Sequence, residues 1–287
     1  MRLAPAFILI LSVVPASAEP PRIEGAFQFG SDVASDASQS DIATLTTFQY
    51  GGALVTGRLE LGRSHVGDRE ASYASAGLGL PFASIDVGRP RSIFEVGPLP
   101  TLPRYGSTGL REALRPIAAE AALSETLGTG VRVSGEAGAW HLGTSVHWLE
   151  DIDESVVGVA GRLDVPVLDS LDQFIVYGGA ETDGTEDRFL LGTEVTWDAA
   201  TAAIDLVRSD SDAGFLLSQL SVGYEMRDGL TLGVSGSYQT DDLTDEGEAR
   251  FGLGAAYSLD TGAVWRGGIE GADSQDYSLD VTIGFEF

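Results

Sequence analysis

The chain contains no cysteine, and every one of its 17 basic residues is arginine, none lysine. The first absence excludes a disulfide framework, a thiolate metal site and a cysteine nucleophile. Positive charge of any kind is scarce, with 43 carboxylates giving a formal net charge of −26. A chain this acidic repels polyanions, which argues against nucleic acid as a partner. Disorder, the other common outcome of high acidity, is disfavoured by an apolar fraction of 43 %. Long hydrophobic runs are missing too. No stretch reaches the roughly 18 to 20 apolar residues that a membrane-crossing helix needs. Proline is sparse at 11 residues, while glycine is plentiful at 37 and has no collagen period, a balance suited to strands joined by tight turns.

The N-terminus supplies a route. Met1-Arg2 is a short basic region, Ala6 to Val14 an apolar one, and Ala16-Ser17-Ala18 a small-residue cleavage motif. Residues 1–18 therefore read as a secretory signal peptide, and 19–287 as the folded domain. Histidines number only three. His141 and His147 share one strand but lie six residues apart, about 20 Å by strand rise, too far for one metal or one dyad. His65, beside Ser64 and near Asp68, is expected in an external loop. No G-x-S-x-G elbow, H-E-x-x-H helix or phosphate loop occurs.

From residue 22 onward the chain divides into sixteen strand-sized segments with period-two alternation. Leu230, Leu232, Val234 and Tyr238 share one face, opposed by Thr231, Gly233, Ser235 and Ser237. In the last segment, YSLDVTIGFEF, the odd positions from Tyr277 to Phe287 are apolar or aromatic and the even ones polar, small or charged. Such alternation also fits a soluble sandwich, whose apolar face would meet a second sheet. Two patterns point elsewhere. Tight links, such as Ala137-Gly138 and Asp198-Ala199, are expected to alternate with longer acidic ones at 32–41, 63–71, 149–154 and 241–247. Aromatics such as Trp140 and Trp148 flank the apolar face at both ends of a strand. Ten steps of about 3.3 Å, tilted by about 40°, project to roughly 25 Å, the height of the apolar band on outer-membrane barrels. The fold expected is all-β: a 16-stranded antiparallel transmembrane β-barrel with one long loop, 91–127, folded inward after strand 5. Within that loop Pro116 opens a helical stretch over 116–128, with Gly128 as its stop.

Alternation assigns Arg58, Arg132, Arg162, Arg188, Arg250 and Arg266 to the inner face, together with Glu60, Asp86, Glu136, Asp164, Glu194, Asp205 and other acids. Charges on inner faces all around the barrel imply a wet interior, as sixteen strands allow.

The signal peptide, the sixteen-strand layout, the long fifth link and the final strand ending on Phe287 resemble the Gram-negative general porins, most closely the trimeric alphaproteobacterial kind. The resemblance implies a cell outer-membrane channel for small hydrophilic solutes and ions, with lipid and lipopolysaccharide around it and no cofactor. It implies a homotrimer built on the early strands, with the link at 63–71 reaching into a neighbour. Phe287 would be the signal read by the barrel assembly machinery. It also implies a pore constriction in which loop carboxylates face arginines on the opposite wall. The candidates are Glu95, Glu112, Glu120 and Glu125 against Arg58, Arg89, Arg91 and Arg132. The family's acidic-aromatic-glycine motif is matched only loosely, by Phe94-Glu95-Val96-Gly97. With acids in excess, cation preference is expected. Acidic loop runs place Asp151, Asp153, Asp241, Asp242 and Asp245 as candidate external Ca²⁺ or Mg²⁺ ligands that could bridge to lipid phosphates. Competing readings are a substrate-specific channel, an outer-membrane barrel enzyme and an adhesin.

Overall fold

The computed structural model describes residues 22–34, 38–51, 55–100, 115–150, 154–166, 171–211, 214–227, 229–241, 247–259, 262–272 and 277–286. The expected signal peptide, Phe287, Glu112, Asp151, Asp153, Asp242 and Asp245 lie outside the described residues.

The strands are β1 (Arg22–Ala34), β2 (Ser38–Gly51), β3 (Thr56–Val66), β4 (Arg69–Leu80), β5 (Ala83–Arg89), β6 (Leu127–Ala137), β7 (Trp140–Leu149) and β8 (Ser155–Asp164). They continue with β9 (Gln173–Thr182), β10 (Asp187–Trp197), β11 (Ala200–Ser209), β12 (Phe215–Arg227), β13 (Leu230–Asp241), β14 (Gly247–Ser258), β15 (Ala263–Ala272) and β16 (Tyr277–Glu286). Each pairs antiparallel with the next. β1 also pairs with β16, from Ala26↔Glu286 to Ala34↔Ser278, which closes the sheet into a barrel. Closure gives every strand two hydrogen-bonded neighbours, the condition for a sheet to stand in hydrocarbon. The one described helix, α1 (Ile117–Leu123), is too short to cross a membrane.

The polarity of this barrel is inverted relative to a water-soluble protein. Phe251 and Leu253 are 70 % and 60 % exposed on the outside, whereas Asp205 and Glu181 on the inner face are 0 % and 1 % exposed. A soluble sandwich would bury the first pair and expose the second. Outward Leu142, Trp148, Leu191, Trp197, Leu220 and Tyr224 are likewise uncovered. The alternation read from the sequence thus has its apolar set facing outward.

Connections differ from expectation in length. β3 and β4 run further than the sequence pattern suggests, with His65↔Glu70 and Val66↔Arg69 still paired, and only Gly67-Asp68 turns the chain. Gly67 adopts φ +59°, which a glycine takes without steric cost. The link expected at 63–71 is a hairpin rather than a long loop. His65, expected in a loop, sits on β3 and faces outward. The link between β8 and β9, 165–172, is longer than the other turns of its set, as the sequence pattern also has it. The helix also ends sooner than expected. Ser124 caps it, Glu125 turns left-handed at φ 61°, and Thr126 N–H bonds back to the Ala121 carbonyl. Gly128 is already in β6, where an added Cβ would lie 2.7 Å from the Trp148 carbonyl oxygen.

Candidate pore constriction

The chain leaves β5 at Arg89 and re-enters the sheet at Leu127. Of the connecting segment, 90–100 and 115–126 are described, and both arms lie against the inner wall. The first arm is seated on adjacent strands. Ile93 is completely buried, its N–H donating to Ser145 Oγ on β7 at 3.1 Å. Gly143 on β7 and Gly158 on β8 make room for its side chain, since a Cβ there would come within 2.2 Å and 3.2 Å of Ile93 atoms. Gly179 on β9 does the same for the Phe94 ring, at 2.9 Å. Phe94 and Leu99 then pack on an apolar patch made by Ile175, Tyr177, Leu190, Val207 and Leu217. These residues occupy inner-face positions of β9 to β12, so that part of the wall is apolar on both sides. The expectation of a uniformly polar inner face fails there, because the loop, not water, covers it.

The second arm carries α1. Ile117, Ala118, Ala122 and Leu123 pack with Ala71 and Tyr73 of β4, Leu127 of β6 and Val156 of β8. Glu120 on the helix pairs with Arg69 at 3.1 Å and Arg115 at 2.9 Å. Glu181 of β9 accepts hydrogen bonds from both arms, from Ser92 Oγ at 2.7 Å and from the Ile117 N–H.

The arginines expected at the constriction separate into two groups. Arg58, Arg91 and Arg132 converge on Glu60 and Asp86. Arg132 Nη2 lies 2.9 Å from Asp86 Oδ2 and 3.2 Å from Glu60 Oε2. Arg58 Nη2 lies 3.3 Å from Glu60 and 3.5 Å from Asp86, and Arg91 Nε lies 3.4 Å from Glu60. Arg132 also donates to the Arg91 carbonyl at 3.3 Å, tying the loop to β6. Asp86 and Arg132 are direct partners across β5 and β6, and β3 supplies Arg58 and Glu60 two residues apart on one face. Arg132, Glu60 and Asp86 are almost fully buried, while Arg58 and Arg91 keep about a quarter or less of their side chains open. Arg89 is elsewhere, bonded to Glu150 at 3.0 Å.

The described loop acids Glu95, Glu120 and Glu125 do not form one row. Glu95 lies beside the arginine cluster. It accepts from the Ser92 N–H at 3.1 Å and hydrogen-bonds with Tyr73. Burial pushes the Glu95 carboxyl up from its ordinary range, partly offset by the Arg91 guanidinium. Glu120 bridges α1 to β4, and Glu125 is an exposed residue just past the helix. The arginines' nearest carboxylates are thus Glu60 and Asp86 on their own wall. Sequence parity placed both acids inside but could not show which arginines they meet.

Of the histidines, His141 lies between Glu136, at 3.3 Å, and Asp164, at 2.9 Å, while buried His147 bonds through neither ring nitrogen. His65 lies 3.5 Å from Glu70 on the outer surface. Among the described residues no group of three or more His, Asp or Glu is arranged to hold a metal, and Asp241 is simply the last residue of β13. Glu181 escaped sequence reasoning altogether. The available signal was parity: it shares a face with inward Tyr177 and Gly179, in a strand segment otherwise free of charge.

No protein-family model matches the chain, and no curated protein matches it. Solved structures do. A substituted variant of the porin of Rhodopseudomonas blastica is 17 % identical, with a TM-score of 0.68 over 93 % of this chain and 100 % of its own. A second variant of that porin is also 17 % identical, at a TM-score of 0.69 with the same coverage. A structure described as concerning asymmetric conductivity of engineered proteins is 16 % identical, at 0.64 over 93 % of this chain. At such identities the likeness is one of fold. This chain has the 16-stranded barrel architecture of those porins along nearly its whole length.

Proposed function

We propose that this chain is an outer-membrane porin, a water-filled channel through which small hydrophilic solutes and ions diffuse passively. The observation that carries the proposal is the inverted polarity of the barrel, with a loop seated inside it rather than a side-chain core. The exposed apolar belt suits hydrocarbon, and the charged inner face suits water. Export through the signal peptide, outer-membrane residence and assembly through Phe287 follow from the same reading.

Cation preference is the finer part of the proposal. At the constriction three arginines are offset in place by Glu60 and Asp86, with Glu95 beside them, so little net positive charge is left to repel cations. The rest of the chain is strongly acidic. Rings and clusters of carboxylates favour cations in other pores. In planar bilayers the refolded chain should give discrete conductance steps, with a reversal potential in a salt gradient shifted toward the cation value. Absence of steps would remove the channel reading, and a clear anion shift the selectivity.

A homotrimer is proposed from the outer wall. Thr44, Thr46, Arg63, Ser72, Ala74 and Ala76 face outward on β2 to β4, where strands farther round carry Leu, Phe and Trp. Small and polar residues gain little from lipid, whereas the same surface can be covered by another copy. Bridging of lipopolysaccharide phosphates by Ca²⁺ or Mg²⁺ at the acidic loops stays part of the proposal. A general diffusion pore is favoured over a substrate-specific channel because the described inward aromatics are packed beneath the loop, Tyr73 with α1 and Tyr177 and Phe215 with Phe94, not in a row along the lumen. No residue is assigned a catalytic role.

A further inference from the structure

We propose that Glu181 is the positioning residue that sets the bore of the pore, by tying the two arms of the constriction loop to one point on the wall. The proposal rests on the channel reading above. Ser92 lies on the first arm and Ile117 on the second, and neither is more than 5 % exposed. One oxygen of Glu181 accepts from Ser92 Oγ at 2.7 Å, and the other accepts from the Ile117 N–H. The carboxylate is 1 % exposed, so both hydrogen bonds are sheltered from competing water.

The other described contacts mostly hold one arm at a time. Ile93 on Ser145 and Phe94 over Gly179 hold the first; Glu120 on Arg69 and Leu123 in the cluster with Tyr73 hold the second. Glu181 joins both arms at a single carboxylate. Through it Ser92 and Ile117 are held to one carboxylate, a closer tie between the two described arms than their strand ends supply. Ile117 is also the first residue of α1, where the N–H has no intrahelical acceptor. The same bond therefore satisfies the helix start and fixes its distance from Ser92.

The chemistry predicts a graded series. Glu181→Ala removes both acceptors. Glu181→Gln keeps one acceptor oxygen for the Ile117 N–H and can turn its amide N–H toward Ser92 Oγ, so it weakens the tie to a neutral one without removing it. Ser92→Ala removes only the first-arm bond. Single-channel recording of the refolded full chain should show partly closed current levels more often, in the order Ala above Gln and Ser92→Ala above wild type. About tenfold is the scale for losing one hydrogen bond to a charged group, so the alanine variant, which loses two, should differ from wild type by at least that. Hydrogen exchange provides a second readout that does not depend on conduction. Peptides covering 90–100 and 115–126 should exchange faster in Glu181→Ala, with the sheet unaffected. If the wild-type chain conducts nothing but these peptides loosen, the tie stands and the channel reading falls. If Glu181→Ala does not refold, Ser92→Ala decides. Wild-type current levels and wild-type exchange in the variants that refold would overturn the proposal.

Discussion

The inner wall of this barrel differs between the sector around β3 to β6 and the sector around β9 to β12. The first holds the loop through ions: Arg132 reaches Asp86, Glu60 and the Arg91 carbonyl. The second holds it through apolar burial of Phe94 and Leu99 against Leu190, Val207 and Leu217. Both place a dry contact inside the barrel, but the physics differs. Breaking an ion network leaves uncompensated charge behind, whereas trimming an apolar side chain leaves only a gap. A charged sector is therefore brittle to single changes and, on the channel reading proposed above, also sets the field of the pore. An apolar sector yields more gradually and acts on the field only through loop position.

Three substitutions sharpen that contrast. The largest effect is expected for Arg132→Ala, which leaves Glu60 and Asp86 buried with fewer partners; such losses run to about 3–5 kcal/mol. The midpoint of urea or heat unfolding, followed by gel mobility of the folded barrel, should fall sharply. A near-wild-type midpoint would mean that the cluster is solvated. Next is Leu217→Ala, completely buried in the wild type, with a cost of about 2–5 kcal/mol. Its mark should be looser loop packing, read as noisier open-channel current with unchanged reversal potential. If Leu217→Ala shifts selectivity as much as Arg132→Ala, the two sectors are not distinct. The smallest effect on stability belongs to Glu95→Gln, whose mark is pH dependence. Burial raises the Glu95 carboxyl, so it takes up its proton at a higher pH than a free carboxylate. The sign for stability follows: the ionised form is disfavoured by the fold, and that penalty is relieved as pH falls through the raised value. Cation preference should weaken over the same interval as the negative charge beside Arg91 disappears. Glu95→Gln should show the weaker preference at all pH values and a flatter profile; an unchanged profile would place the titration elsewhere.

Most of the architecture was legible because a barrel strand writes its two faces into alternate residues. The strands near Leu230, Phe251 and Phe189 declare both period and orientation. The apolar inner patch was less legible. Phe189-Leu190-Leu191, Leu206-Val207 and Phe215-Leu216-Leu217 are runs that alternation alone reads as noise. They mark strand segments dry on both faces, and hence where an internal loop must lie. Hairpin lengths were misjudged at 63–71 because polar outward residues such as Arg63 and Glu70 look like loop. The candidate site was only partly legible. Parity put Arg58, Arg132, Glu60 and Asp86 inside, but their meeting depends on strand tilt and stagger, which no local pattern contains. The role of Glu181 depends on two donors twenty-five positions apart in the chain, which converge only after the loop has folded inward.

The glycine seat beneath the first arm has a further consequence for the geometry of the opening. Gly158 lies where an added methyl would meet Ile93 at 3.2 Å and Ser145 Oγ at 3.1 Å, a clearance tight by only tenths of an ångström. The bare wall at this position thus acts as a spacer of zero thickness. Alanine there would shim the loop toward the axis without altering one residue of the loop or one charge of the lumen. Aperture and electrostatics, which share the same few residues at the arginine cluster, can in this way be adjusted independently from the wall behind the loop.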